Sequence, residues 1–139
     1  MTADRIGSLL ARAHGVVRHR MTNALEGSGL HLGHIAILSL LADGEGRTQK
    51  ILSAETGIEK SSMVLFLDSL EAGGWVRRVR DPEDRRAHIV ELTEEGASRF
   101  AAIAPRMKDV QDAFLAPLGE SERAQLVDLL IKVTRAPDA

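Results

Sequence analysis

The chain has 139 residues, 18 Lys and Arg against 20 Asp and Glu for a formal net charge of -2, aromatics at 3% and no cysteine. That length suits one ordinary domain, able to bury roughly two thirds of its unfolded surface without staples. The missing thiols exclude disulfides, thiolate metal sites and a cysteine redox sensor, and so few aromatics argue against a base-stacking surface for single strands.

The opening residues MTADRIGSLL hold neither a long apolar run nor a small-residue cleavage site, so no secretory signal is expected. No stretch approaches the ~20 apolar residues of a membrane span, and a soluble, cytoplasmic protein is the expectation. Ile6, Leu9, Leu10, Ala13, Val16, Val17, Met21 and Leu25 recur at helical spacing. They predict a first helix from about Asp4 to Glu26, ended by Gly27 and Gly29. Ile35, Leu38 and Leu41 mark a second helix over Leu32 to Ala42, and Asp43-Gly44-Glu45-Gly46 is a turn signal. Thr48 is placed to cap a short helix from Gln49 to Thr56, with Gly57 left-handed at its end. The next helix, after Ile58, turns Met63, Phe66, Leu67 and Leu70 inward and stops at Gly73-Gly74.

There the period changes. Trp75 to Arg80 and Ala87 to Leu92 read as two strands around a turn from Asp81 to Arg86. Thr93 caps a long helix marked by Phe100, Ile103, Ala104, Met107, Val110 and Phe114, with Pro105 inside it and expected to kink it. Leu118 to Val133 form a last amphipathic helix, followed by a short tail after Arg135. No repeat, linker or low-complexity tract interrupts this order.

Helix, short helix, tight turn, helix and hairpin together describe a helix-turn-helix with a wing, in which the second helix enters the major groove while the first braces it. Five arginines crowd into the ten residues from Arg77 to Arg86. A projecting hairpin tip reaches phosphates or a minor groove that a helix face cannot, and the arginine fork suits both. Asp81-Pro82 builds the turn that carries them. Charge alone leaves another reading open. From Arg47 to His88 eight basic residues face seven acidic ones, and an arginine-rich hairpin interleaved with acids is often a solvated edge strand protected by charge.

The run from about His31 to Gly96 resembles the MarR family of bacterial transcriptional regulators. The likeness lies in Thr48-Gln49-Lys50, in Leu67-Asp68-Ser69-Leu70-Glu71 with Gly74-Trp75-Val76, in Asp81-Pro82-Glu83-Asp84-Arg85-Arg86, and in Leu92-Thr93-Glu94-Glu95-Gly96. It implies a mainly α fold with a small β-hairpin wing, in one domain. Residues of about 31–96 would form the winged helix-turn-helix lobe, and about 1–30 and 97–135 a helical dimerisation region. The implied function is a sequence-specific double-stranded DNA-binding regulator, typically a repressor that binds a palindromic operator as a homodimer until a small ligand loosens it. By the same resemblance Asp68 matches an aspartate that pairs with a wing arginine, here Arg86, and fixes the angle of the wing. Asp84 is expected to orient the arginines, and Arg85 at the tip to meet phosphate or the minor groove.

The sequence departs from the family pattern where bases should be read. Val64 and Leu65 stand at positions often held by threonine and arginine, Ser69 at another arginine position, and Glu59 at the helix cap. Lys60, Ser61 and Ser62 remain polar at the helix start, where hydroxyls and backbone N–H groups can hold phosphate and touch base edges. Val64 and Leu65 would contact thymine methyls if they face the groove. Specificity is then either modest and wing-driven or read largely through DNA shape. The expected DNA-binding set is Thr48, Gln49, Lys50, Lys60, Ser61, Ser62, Val64, Leu65, Arg78, Arg85 and Arg86.

The resemblance also implies a pocket for a small aromatic or phenolic effector, to which His14, Arg18 and His34 would offer polar groups. His14, His19, His31 and His34 form no complete ligand set, so no metal site is expected; His88 reads as a surface group and Trp75 as core. No nucleophile-base pair or glycine-rich phosphate loop is visible, so neither catalysis nor a cofactor is expected. The chief alternative is a winged-helix protein-interaction module without strong DNA binding.

Overall fold

The computed structural model describes residues 5–135. In chain order they form α1 (Ile6–Ala24), α2 (Leu32–Leu41), β1 (Arg47–Thr48), α3 (Gln49–Thr56), α4 (Lys60–Ala72), β2 (Val76–Arg80), β3 (His88–Leu92), α5 (Glu94–Phe114) and α6 (Glu120–Thr134). The architecture is mainly helical with a small antiparallel sheet, as the periodicities predict. The expected start of the first helix at Asp4 and the tail beyond Arg135 lie outside the described residues. No helix among the described residues is long and apolar enough to cross a membrane.

Local chemistry sets most of the boundaries. The Thr48 hydroxyl accepts from the Ile51 N–H at 3.2 Å and starts α3, and Gly57 ends it in the left-handed region at φ 74°. Glu59 makes no side-chain cap bond at the start of α4. Met63, Leu67 and Leu70 fall on one side of α4 and are fully buried. They meet Ile37, Leu38 and Leu41 of α2, Leu52 of α3, and Val76 and Val90 of the sheet in one apolar cluster. Burying each such side chain is worth about 1.5–3 kcal/mol, so this cluster fixes which face of α4 remains outside.

The sheet corrects the expected two-stranded hairpin. Its strand order is β1-β3-β2, with Arg47 opposite Val90 and Thr48 opposite Ile89. Two residues are too few to show a period of two, which is why β1 escapes a sequence reading. It pins the base of the wing to the residue that caps α3. Beyond it, β2 and β3 pair from Val76↔Leu92 to Arg80↔His88, and Arg77 forms a cross-strand ion pair with Glu91 at 2.7 Å.

Trp75, buried as expected, forms the joint between wing and α5. The Thr93 hydroxyl donates to the Gly74 carbonyl at 2.6 Å and accepts from the Gly96 N–H at 2.9 Å. The Arg99 guanidinium lies 3.8 Å over the Trp75 ring and donates to the Gly73 carbonyl at 2.9 Å. A Cβ on Gly96 would collide with the backbone carbonyl of Trp75. Pro105 lies within α5, whose helix continues through it to Phe114.

α1 packs along α5, with Met21, Leu25, Phe100 and Met107 buried there. α6 has no buried residue at all, and its Val127, Leu129, Leu130, Ile131 and Val133 are exposed. Gly96→Ala is expected to lower the unfolding free energy by about 1–3 kcal/mol through forced separation of α5 from β2, measured by urea denaturation.

Candidate nucleic-acid interface

Between the starts of α3 and α4 and the inner edge of the wing lies a cleft of about 580 Å³. Thr48, Gln49, Lys50, Lys60, Arg78 and Arg86 all line it, so six of the eleven expected DNA-binding residues converge there. Ser53, Asp81, Asp84, Ala87, His88 and Val90 complete the lining. The cleft is therefore mixed in charge: four cations share it with two carboxylates. Arg47 is turned away from this set, held by Asp43 at 2.7 Å, which draws the Asp43 carboxyl below its ordinary value.

The remaining expected residues lie outside the cleft lining. Ser61, Val64 and Leu65 are exposed on the outer face of α4, and Ser62 is half-buried. Leu65 is 69% exposed and Val64 37%, opposite the buried stripe of Met63, Leu67 and Leu70. Arg85 is exposed at the wing tip, and neither Arg85 nor Arg86 forms an ion pair among the described residues. The tip itself is ordered by carboxylates acting on backbone. Asp84 accepts from the Arg86 N–H at 3.0 Å, Asp81 from the Glu83 N–H at 2.9 Å, and the Ala87 N–H donates to the Asp84 carbonyl at 3.0 Å. Asp84 thus holds the tip backbone rather than an arginine side chain.

The expected pairing of Asp68 with Arg86 is not what the structure shows. The Asp68 carboxylate accepts from Arg78 Nη2 at 2.6 Å. Arg78 lies mid-strand, opposite Val90, and reaches α4 from the sheet; Arg86 belongs to the tip turn beyond the last strand pair at Arg80↔His88. The strut between α4 and the wing is therefore Asp68–Arg78. The Arg78 Nε is buried without a hydrogen-bond partner, so this side chain faces the cleft with its donors only partly used. The pair is partly exposed, and its net stabilisation is about 1 kcal/mol or less; what it fixes is angle. Asp68→Ala is expected to speed amide exchange in β2 while shifting overall stability by no more than about 1 kcal/mol.

The three residues assigned to an effector pocket line neither cavity found among the described residues. His14 and Arg18 are exposed on α1, whereas His34 is buried in the first turn of α2. Neither the cleft nor a shallower hollow of about 220 Å³ between α2 and α5 includes any of them. No group of three or more His, Asp or Glu that would hold a metal ion occurs among the described residues.

His34 has a role that sequence reasoning missed. The His31 N–H donates to His34 Nδ1 at 2.8 Å, and the Gly33 N–H donates to His31 Nδ1 at 2.9 Å. Two imidazoles thus make the reciprocal cap of α2, a duty more often filled by Ser or Thr with Glu. The spacing i, i+3 at a helix start was the available signal. Both rings pack on Phe66 of α4, His31 stacked at 5.2 Å and His34 edge-on at 5.0 Å between centroids. Because both rings accept through Nδ1, their neutral forms carry hydrogen on Nε2, and that of His34 is buried without a partner.

Burial, and then the neighbouring His31, lower the His34 pKa from its ordinary 6.5. A histidine with a lower pKa folded than unfolded stabilises fully above its unfolded pKa, and that stability is lost as pH falls through the folded one. Thermal stability is expected to fall as pH drops below about 6.5. His34→Asn, which keeps a short acceptor for the His31 N–H, is expected to make that fall shallower, as checked by melting curves from pH 8 to 5.

Known proteins are similar to this chain in sequence and in overall fold. A MarR family model matches residues 28–87. The transcriptional regulator HosA of Escherichia coli O111:H- is 33% identical over 101 residues, covering 73% of this chain and 75% of that protein. The transcriptional repressor NicR of Pseudomonas putida is 29% identical over 132 residues, covering 94% and 82%. Matches to two other curated regulators, 28% and 29% identical, span only 65% and 64% of their lengths. Among solved structures, a MarR-family transcriptional regulator from Rhodococcus sp. RHA1 superposes with a TM-score of 0.86 at 28% identity, covering 100% of this chain and 99% of that one. CouR from Rhodococcus jostii RHA1, bound to p-coumaroyl-CoA, gives 0.86 at 29%, covering 99% and 96%. The shared winged lobe, its order of helices and wing, and these matches lead to one conclusion: the chain belongs to the MarR family.

Proposed function

We propose that the protein is a sequence-specific double-stranded DNA-binding transcriptional regulator, acting in the cytoplasm as a repressor and not as an enzyme. The observation that carries this reading is the cleft in which Thr48, Gln49, Lys50, Lys60, Arg78 and Arg86 converge between the helix starts and the wing. Such an arrangement suits a phosphate strand between α3 and the wing, with α4 in the major groove and Arg85 at the flanking backbone or minor groove. The NicR relative, a repressor by name, supports the sign of regulation.

The working unit in this reading is a homodimer. Residues of about 31–96 make the DNA-binding lobe, and about 1–30 with 97–135 the dimerisation region. In support, α6 buries nothing within its own chain, and Ile6, Leu10 and Val16 leave apolar surface on α1. Two copies would set their α4 helices about 34 Å apart, one duplex turn, and so require a near-palindromic operator. A small aromatic or phenolic effector is supported by the ligand in the CouR structure and by the unpartnered Nε2 of His34. His14, Arg18 and His34 are its proposed contacts.

A second reading, a protein-interaction module, draws on the exposed Val64 and Leu65, since α4 presents apolar rather than basic side chains. A gel shift on the protein's own upstream region over a salt series separates the two. Wild-type protein is expected to bind with a steep salt dependence. Arg85→Ala is expected to weaken binding to all sequences and to reduce the slope of log K against log[salt] by about one per protomer. An unchanged slope would remove Arg85 from the interface.

A further inference from the structure

The outer face of α4 raises a specificity question that the cleft does not answer. Ser61, Leu65 and Asp68 are exposed at i, i+4 and i+7, with Val64 beside them, directly across the helix from Met63, Leu67 and Leu70. The burial of that inner stripe leaves the helix no freedom to turn these residues away. Asp68 is engaged by Arg78 through one carboxylate oxygen at 2.6 Å, which ties it toward the wing. Along the rest of this face, the side chains left to meet a base edge are the hydroxyls of Ser61 and Ser69 and the apolar groups of Val64 and Leu65. None supplies the two-donor fork that reads guanine, nor the amide that reads adenine.

The one base feature in the major groove that rewards an apolar contact is the 5-methyl group of thymine. We infer that Leu65, with Val64, is a specificity-determining residue that selects thymine in each operator half-site by burying its methyl group. The inference rests on the DNA-binding reading above and names the base class that the site prefers. The cations Lys50, Lys60 and Arg86 line the cleft beside this face. Charge thus draws the stripe toward a polyanion, and its apolar groups then discriminate.

The test uses the full-length protein. Duplexes enriched from a random library by the wild-type protein are resynthesised with deoxyuracil for thymine, one position at a time. That exchange removes a methyl group and leaves base pairing intact. The expected result is one or two thymines per half-site at which deoxyuracil weakens wild-type binding about fourfold, the worth of one buried methyl. Leu65→Ala should bind the thymine duplex correspondingly less well and be indifferent to the exchange; an exposed position makes that variant safe for the fold. Enriched sites whose affinity ignores the exchange, or an equal loss in wild type and Leu65→Ala, overturn the inference and leave the DNA reading standing. No enrichment of any duplex overturns both.

Discussion

The contact between Gly96 and the Trp75 carbonyl governs how the two halves of this chain relate. Any side chain at 96 would collide with that carbonyl, so α5 must begin against the start of β2. Thr93 bonds to both sides of the joint, and Arg99 covers Trp75 from the second turn of α5. Such a joint has little slack. α5, the root of β2 and, through the Arg78–Asp68 strut, α4 are thus joined in one chain of contacts. The angle between wing and α4 is therefore set from two ends: by α5 at the root and by one ion pair midway.

Much of this was legible in the chain because it is local. Thr48 and Thr93 are caps whose partners lie three residues away, Gly57 closes α3 at a positive φ, and the stripe Met63, Leu67, Leu70 declares the buried side of α4. What escaped depends on distance in sequence. β1 exists only because Val90 and Ile89 come to lie beside Arg47 and Thr48. Asp68 has five wing arginines to choose from, and strand register decides for Arg78. Register is a property of the folded sheet, so the family likeness pointed to a tip arginine that the turn holds elsewhere.

The histidines show a different kind of gap. His31 and His34 are three apart at a helix start, the spacing of a capping box, yet imidazole is seldom considered for that duty. Read singly they suggest ligands; read as a pair on Phe66 they suggest architecture. The same ring is then both a cap and a buried donor without an acceptor. That is why His34 serves the fold, while His14 and Arg18 lie exposed on α1.

The mixed lining of the cleft has a further consequence for a regulator of this kind. Asp81 and Asp84 stand among the cations, and the chain as a whole is slightly acidic. Non-specific adhesion to chromosomal DNA comes almost entirely from uncompensated positive charge, and in the proposed regulator these two carboxylates would offset part of it. Fewer molecules would be sequestered on irrelevant stretches of the genome. Under the proposed function, a lower copy number would then keep an operator occupied, and a loss of affinity there would be refilled from a smaller reservoir of sliding protein.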